Sequence, residues 1–248
     1  MKIHGSVAGG LIAATALLAA CRDAQTEKDV TTRTANGEAA TSMSGDSADK
    51  RGMALVRVVN AVPTQNTLIV RAGPNLQLTA AEFKKVTDYQ PIDRNWVTFE
   101  ISASADSGFT PLATNREMLT DGHRYTIVII PDSANKFETR ILRDEISDDT
   151  TKAQLRVVHA ARGIGEINIV QRGNKDAIMD GVNFATEAGY RAVDPWRGTL
   201  EMRLEDGNRL VHNIPNLALE KGHSYTIVLT RNAAGRLESI RFDDSQVK

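Results

Sequence analysis

The constraint that shapes everything else in this chain is an internal repeat. VRVVNA, starting at Val56, is answered by LRVVHA, starting at Leu155; GHRYTIVI, starting at Gly122, is answered by GHSYTIVL, starting at Gly222. The two segments stand 66 residues apart in the first copy and 67 in the second. Matched segments at matched spacing mean that one domain is written twice, with a period far longer than that of a solenoid. A feature found in both copies then serves the fold before it serves a unique activity.

The N-terminus reads as an address. Lys2 supplies a positive end, a small and apolar stretch follows from Val7 to Ala20, and the stretch is shorter than the roughly 20 apolar residues of a membrane span. It ends Leu18-Ala19-Ala20-Cys21, which resembles the lipobox of bacterial lipoproteins. That resemblance implies cleavage after residue 20 and lipidation of Cys21, the only cysteine in the chain. The alternative is an ordinary secreted protein with an incidental thiol, a liability in an oxidising compartment. Arg22, in place of an Asp after the cysteine, fits the outer-membrane class of such lipoproteins. Residues 22–52 are Thr, Ser, Asp, Glu, Lys, Ala and Gly with almost no large apolar side chain. Such a segment buries too little to offset its ordering entropy, so it is expected to be a disordered tether spanning ~30 Å.

The formal charge of −1 leaves no basic excess for a phosphate backbone, which argues against nucleic acid as a partner. The pattern inside each copy is β. Leu200 to Glu205 alternates strictly between apolar and charged, and Asp206-Gly207 follows as a hairpin turn. Val97 to Ile101 alternates at the matching place in the first copy. YTIVII and YTIVL are β-branched and apolar on both faces, as central strands are. Ala80 to Val86 and Met179 to Ala188 are candidates for short helices. The expectation is an all-β chain: signal peptide over 1–20, lipidated cysteine and linker over 21–52, then two tandem Ig-like or transthyretin-like β-sandwiches over 53–146 and 152–242.

RVVHA at a domain start, the strand Ile167-Asn168-Ile169-Val170, and a late G-x-x-Y-T-I-V strand resemble the bacterial domain of unknown function numbered 4397. The resemblance runs from Leu55 to Phe242. It departs where the family has a Ser-Pro-Asp-Ala-Pro-like stretch and this chain has Ala161 to Gly165, and where Asn60 replaces the histidine seen at His159. The resemblance implies tandem domains on a secreted or surface-anchored protein and carries no agreed activity.

Several residues qualify as candidates for function. Trp96 and Trp196 match between copies, and each follows a tyrosine, Tyr89 and Tyr190. Exposed at turns, these aromatics would stack on a sugar or anchor a protein; buried, the indoles would plug one end of each sandwich. His123 and His223 precede Tyr125 and Tyr225; each pair reads as a strand cap followed by a core ring with its hydroxyl at the rim. His159 reads as a polar strand-end residue, or as a metal ligand or a base in a hydrolase with a nearby carboxylate. Arg57 and Arg156 match, as do Glu138 and Glu238, and read as pairs on a solvent face worth at most ~1 kcal/mol. No G-x-S-x-G, H-E-x-x-H, P-loop or G-x-G-x-x-G signature is present. The expectation is therefore a non-enzyme without metal or cofactor. It would be an outer-membrane lipoprotein, held to the membrane through Cys21, that acts as a protein-interaction, adhesion or scaffold module. Glycan or peptidoglycan binding through the tryptophans is the alternative.

Overall fold

The computed structural model describes residues 52–245, apart from 75, 94, 104–109, 134–135 and 146–147. Cys21, the leader and the linker lie outside the described residues, as does part of the joint between the copies. The first copy contains β1 (Met53–Asn60), β2 (Thr67–Ala72), β3 (Gln77–Glu82), β4 (Gln90–Asp93), β5 (Trp96–Ser102), β6 (Ala113–Met118), β7 (Arg124–Ser133) and β8 (Lys136–Asp144). The second contains β9 (Ala153–His159), β10 (Ile167–Gln171), β11 (Ala177–Val182), β12 (Glu187–Val193), β13 (Trp196–Leu204), β14 (Leu210–Leu219), β15 (Ser224–Arg231) and β16 (Leu237–Asp243). The first copy forms sheets in the order β4-β1-β7-β8 and β3-β2-β5-β6; the second repeats both orders as β12-β9-β15-β16 and β11-β10-β13-β14. The fold is two all-β sandwiches of identical topology.

β7 and β15 are inner strands, as their two apolar faces require. One face of each supplies its own sandwich core: Ile127 and Ile129 with Val56, Val58 and Phe99, and Ile227 and Leu229 with Leu155, Val157 and Leu200. The other face builds a third core. Val59, Val128 and Ile130 of the first copy pack with Val158, Val228 and Ile240 of the second. The sheets β4-β1-β7-β8 and β12-β9-β15-β16 are therefore pressed together, giving four layers with three apolar interiors.

Two expectations are corrected. Ala80–Val86 and Met179–Ala188 are not helical: they run through β3, β11 and the start of β12, and no α-helix occurs among the described residues. Strand pairing overrides the mild helical composition, and residues with positive φ, Lys84 (64°) and Ala185 (57°) in turns and Gly181 (63°) within β11, interrupt any helical path. The Asp206-Gly207 turn does connect the hairpin β13–β14, with φ of 71° at Gly207 and 51° at Asn208.

Candidate functional site

The matched arginines are not on a solvent face. Arg57 and Arg156 follow the apolar alternation of β1 and β9 onto the face that meets the other copy, and each is almost fully buried. Arg57 Nε donates to Thr126 Oγ1 at 2.9 Å, and Arg156 Nε donates to Thr226 Oγ1 at 2.9 Å. Each threonine hydroxyl donates in turn to the aspartate of its own copy, Thr126 to Asp144 and Thr226 to Asp244, both at 2.6 Å. The guanidiniums cross over: Arg156 Nη2 donates to Asp144 Oδ1 at 2.5 Å, and Arg57 Nη2 donates to Asp244 Oδ1. Two arginines and two carboxylates thus form a closed circuit at the centre of the seam. Residue i of one copy binds residue j of the other, and j binds i, as in a two-fold dimer.

Tyr89 and Tyr190 belong to this circuit. Tyr89 is buried and its hydroxyl donates to Asp144 Oδ2 at 2.7 Å; that of Tyr190 donates to Asp244 Oδ2 at 2.9 Å. Arg57 stacks on the Tyr89 ring and Arg156 on the Tyr190 ring, each 4.5 Å from the centroid. Burial raises both phenols above their ordinary range, so they stay protonated and serve as donors. A cleft of about 330 Å³ opens at the rim of the seam, between the segment from Lys84 to Tyr89 and β16, and Lys84 is ion-paired across it with Glu238.

The two tryptophans do not occupy equivalent places. Val70 faces Ile101 as Ile169 faces Met202, so Ile101 corresponds to Met202 and Trp96 to Arg197. Trp196 corresponds to Asn95: the backbone of Asn95 bonds Leu119, as Trp196 pairs with Leu219. A shift of one residue reverses the face of a strand. Trp96 therefore points out of β5 and is 56% exposed, beside Met118 at 49%. The Arg116 guanidinium stacks over its ring at 5.1 Å. Trp196 turns inward against the second core, with its Nε1 buried and unpartnered. Its ring lies over Gly198, where an added Cβ would meet Cζ3 at 3.0 Å. Gly198 corresponds to Val97, so the indole fills the room that the valine side chain takes in the first copy.

His159 is fully buried at the end of β9. The Ala161 amide donates to Nδ1 at 3.3 Å, which places the ring proton on Nε2, and this group donates to the Gly165 carbonyl at 3.3 Å. Asn60 does the same work: its Oδ1 accepts from the Val62 amide at 2.9 Å, and its Nδ2 donates to Gln65 O at 3.0 Å. Both ring nitrogens of His159 are engaged, which leaves none to act as a base. Tyr125 and Tyr225 point their hydroxyls to the rim, where they accept from the amides of Thr120 at 3.0 Å and Glu220 at 3.2 Å. Among the described residues no group of three or more His, Cys, Asp or Glu could hold a metal ion.

No curated protein matches the chain. Several solved structures are similar to it, among them two at low identity. One is a candidate cell adhesion protein from Bacteroides uniformis ATCC 8492, 11% identical over 79% of this chain and 98% of that one, with a TM-score of 0.24. The other is a candidate cell adhesion protein from Bacteroides fragilis NCTC 9343, 12% identical over 73% of this chain and 84% of that one, with a TM-score of 0.20. Residues 54–170, from β1 into β10, match the family model of a domain of unknown function, DUF4397, and over those residues the chain resembles that family.

Proposed function

We propose that this protein is a non-catalytic cell-envelope lipoprotein, attached to the outer membrane through Cys21, whose double sandwich is a rigid interaction or scaffold module. The seam carries this reading. The buried arginines, aspartates, threonines and tyrosines are consumed in holding one copy to the other, and a rigid block of this kind presents fixed surfaces to a partner. The second reading, recognition of glycan or peptidoglycan, is favoured by one observation, the open indole of Trp96 with an arginine on its ring.

The test is capture from solubilised envelope and from isolated sacculi by the full chain and its Trp96→Ala variant. Capture of a specific envelope protein supports the scaffold reading. Retention on sacculi that disappears with Trp96→Ala replaces it with glycan recognition. Capture of neither removes both. Fractionation of a Cys21→Ser variant checks the anchor: the protein is expected to leave the membrane fraction, and normal retention would defeat the lipoprotein assignment.

A further inference from the structure

The exposed apolar side chains are not scattered. Among the described residues, the large hydrophobic side chains open to solvent are Leu76, Trp96, Met118 and Leu210. Three of the four sit at one end of the sheet β3-β2-β5-β6. Trp96 and Met118 face each other at the first pair of β5–β6. Leu76 lies in the β2–β3 turn, whose Gly73 amide bonds the Thr98 carbonyl two residues from Trp96. This is also the end at which the described chain begins. Met53 pairs with Asp93, the Gly122 amide bonds the Met53 carbonyl, and the Leu119 amide bonds the Asn95 carbonyl next to Trp96. Leu210 belongs to the second sandwich, in β14 after the β13–β14 turn.

We infer that Leu76, Trp96 and Met118 seat this end of the first sandwich on the lipid interface of the membrane that holds the anchor. This rests on the proposed attachment at Cys21. The 30 residues between Cys21 and Gly52 are polar in composition, with Val30 and Met43 the only larger apolar side chains. They lead from the lipid to this end, which brings the row and the bilayer together at high effective concentration. Tryptophan favours the headgroup level, with its ring in the apolar boundary and its N–H among polar groups, and Arg116 over the ring adds a cation at that depth. The three side chains of the row are themselves uncharged, so the contact is apolar in origin and depends little on salt.

The experiment uses the full chain with Trp196→Phe, which leaves Trp96 as the sole indole, in vesicles of phosphatidylethanolamine and phosphatidylglycerol at three to one, with and without brominated acyl chains. The lipidated chain is expected to show a blue-shifted Trp96 emission that brominated lipid quenches and 0.5 M salt leaves unchanged. The full-length Cys21→Ser, Trp196→Phe chain, with vesicles in excess, separates the two ideas. Residual quenching there, lowered about tenfold in vesicle affinity by Met118→Ser with Leu76→Ser, supports the seat even if the anchor assignment fails. An unshifted, unquenched Trp96 in a chain that stays with the membrane leaves the anchor standing and overturns the inference. Protection of Trp96 by sacculi or by an envelope protein, with no lipid quenching, overturns it equally.

Discussion

A histidine sealed from water with both nitrogens engaged is held in one neutral tautomer, and its chemistry becomes a matter of stability. Burial pulls the imidazole of His159 below its ordinary range, and the nearby Arg231 cation acts in the same direction. The unfolded chain therefore takes the proton first. The histidine's contribution is present in full above its unfolded pKa of about 6.5 and is lost as pH falls from there through the depressed folded value. His159→Asn, which installs the residue of the first copy, is expected to stay within about 1 kcal/mol of wild type at pH 7.5 and to lose less stability on acidification to pH 5. His159→Ala strands the Ala161 amide and is expected to cost about 1–3 kcal/mol at pH 7.5. Urea titration at the two pH values measures both, and an asparagine variant as damaged as the alanine one would refute the equivalence of the two side chains. In the sequence, Asn60 opposite His159 looks like a departure between copies. The equivalence lies in a shared pattern, one acceptor two residues before an amide and one donor toward the following loop, and residue names do not display it.

Strand parity decides which tryptophan is open. Val97, Phe99 and Ile101 are the inward residues of β5, and Trp96 is out of phase with them; Trp196 is in phase with Leu200 and Met202 of β13. That signal stood in the sequence, as did the Tyr-to-Trp spacing of seven residues in the first copy and six in the second. Pairing the tryptophans by name hid it. The compensation between Gly198 and Trp196 was not legible, because it depends on a ring folding back over a residue two places on. Trp96→Ala is expected to change stability by less than about 0.5 kcal/mol. Trp196→Asn is expected to cost about 2 kcal/mol or more through the hole it leaves, and Gly198→Val alone should also destabilise by overpacking against the ring. Together, Trp196→Asn and Gly198→Val rebuild the arrangement of Asn95 and Val97. The double variant should then be more stable than the sum of the single losses by about 0.5–3 kcal/mol. Additive losses in a denaturant double-mutant cycle would show that the indole does not occupy the valine's place.

At the scale of the molecule, the question is whether two sandwiches behave as one. Apolar residues on both faces of YTIV pointed to central strands; what covers the outer face of those sheets is the other copy, through contacts such as Arg57 to Asp244, 187 residues away. Nothing local in the sequence names that partner, which is why a buried arginine in a β-branched strand read as a surface pair. The circuit is buried between apolar layers, so its free energy is poorly screened by salt. Such a circuit costs much to desolvate and contributes little against an apolar replacement, but removing one member leaves charges with no compensation. Asp144→Ala takes the acceptor from Arg156, Thr126 and Tyr89 at once. Its cost is expected to be about 3–5 kcal/mol, little changed between low and high salt. The same contacts set the cooperativity. With the third core and the circuit intact, the two sandwiches should melt in one calorimetric transition whose calorimetric and van't Hoff enthalpies agree. In Asp144→Ala the coupling is weakened while each sandwich keeps its own core, so the single transition should broaden or divide into two. Scanning calorimetry of both proteins checks this directly. Two separate transitions in the wild type would mean that the seam aligns the copies without coupling their stability, and the rigidity on which the scaffold reading rests would fail with it.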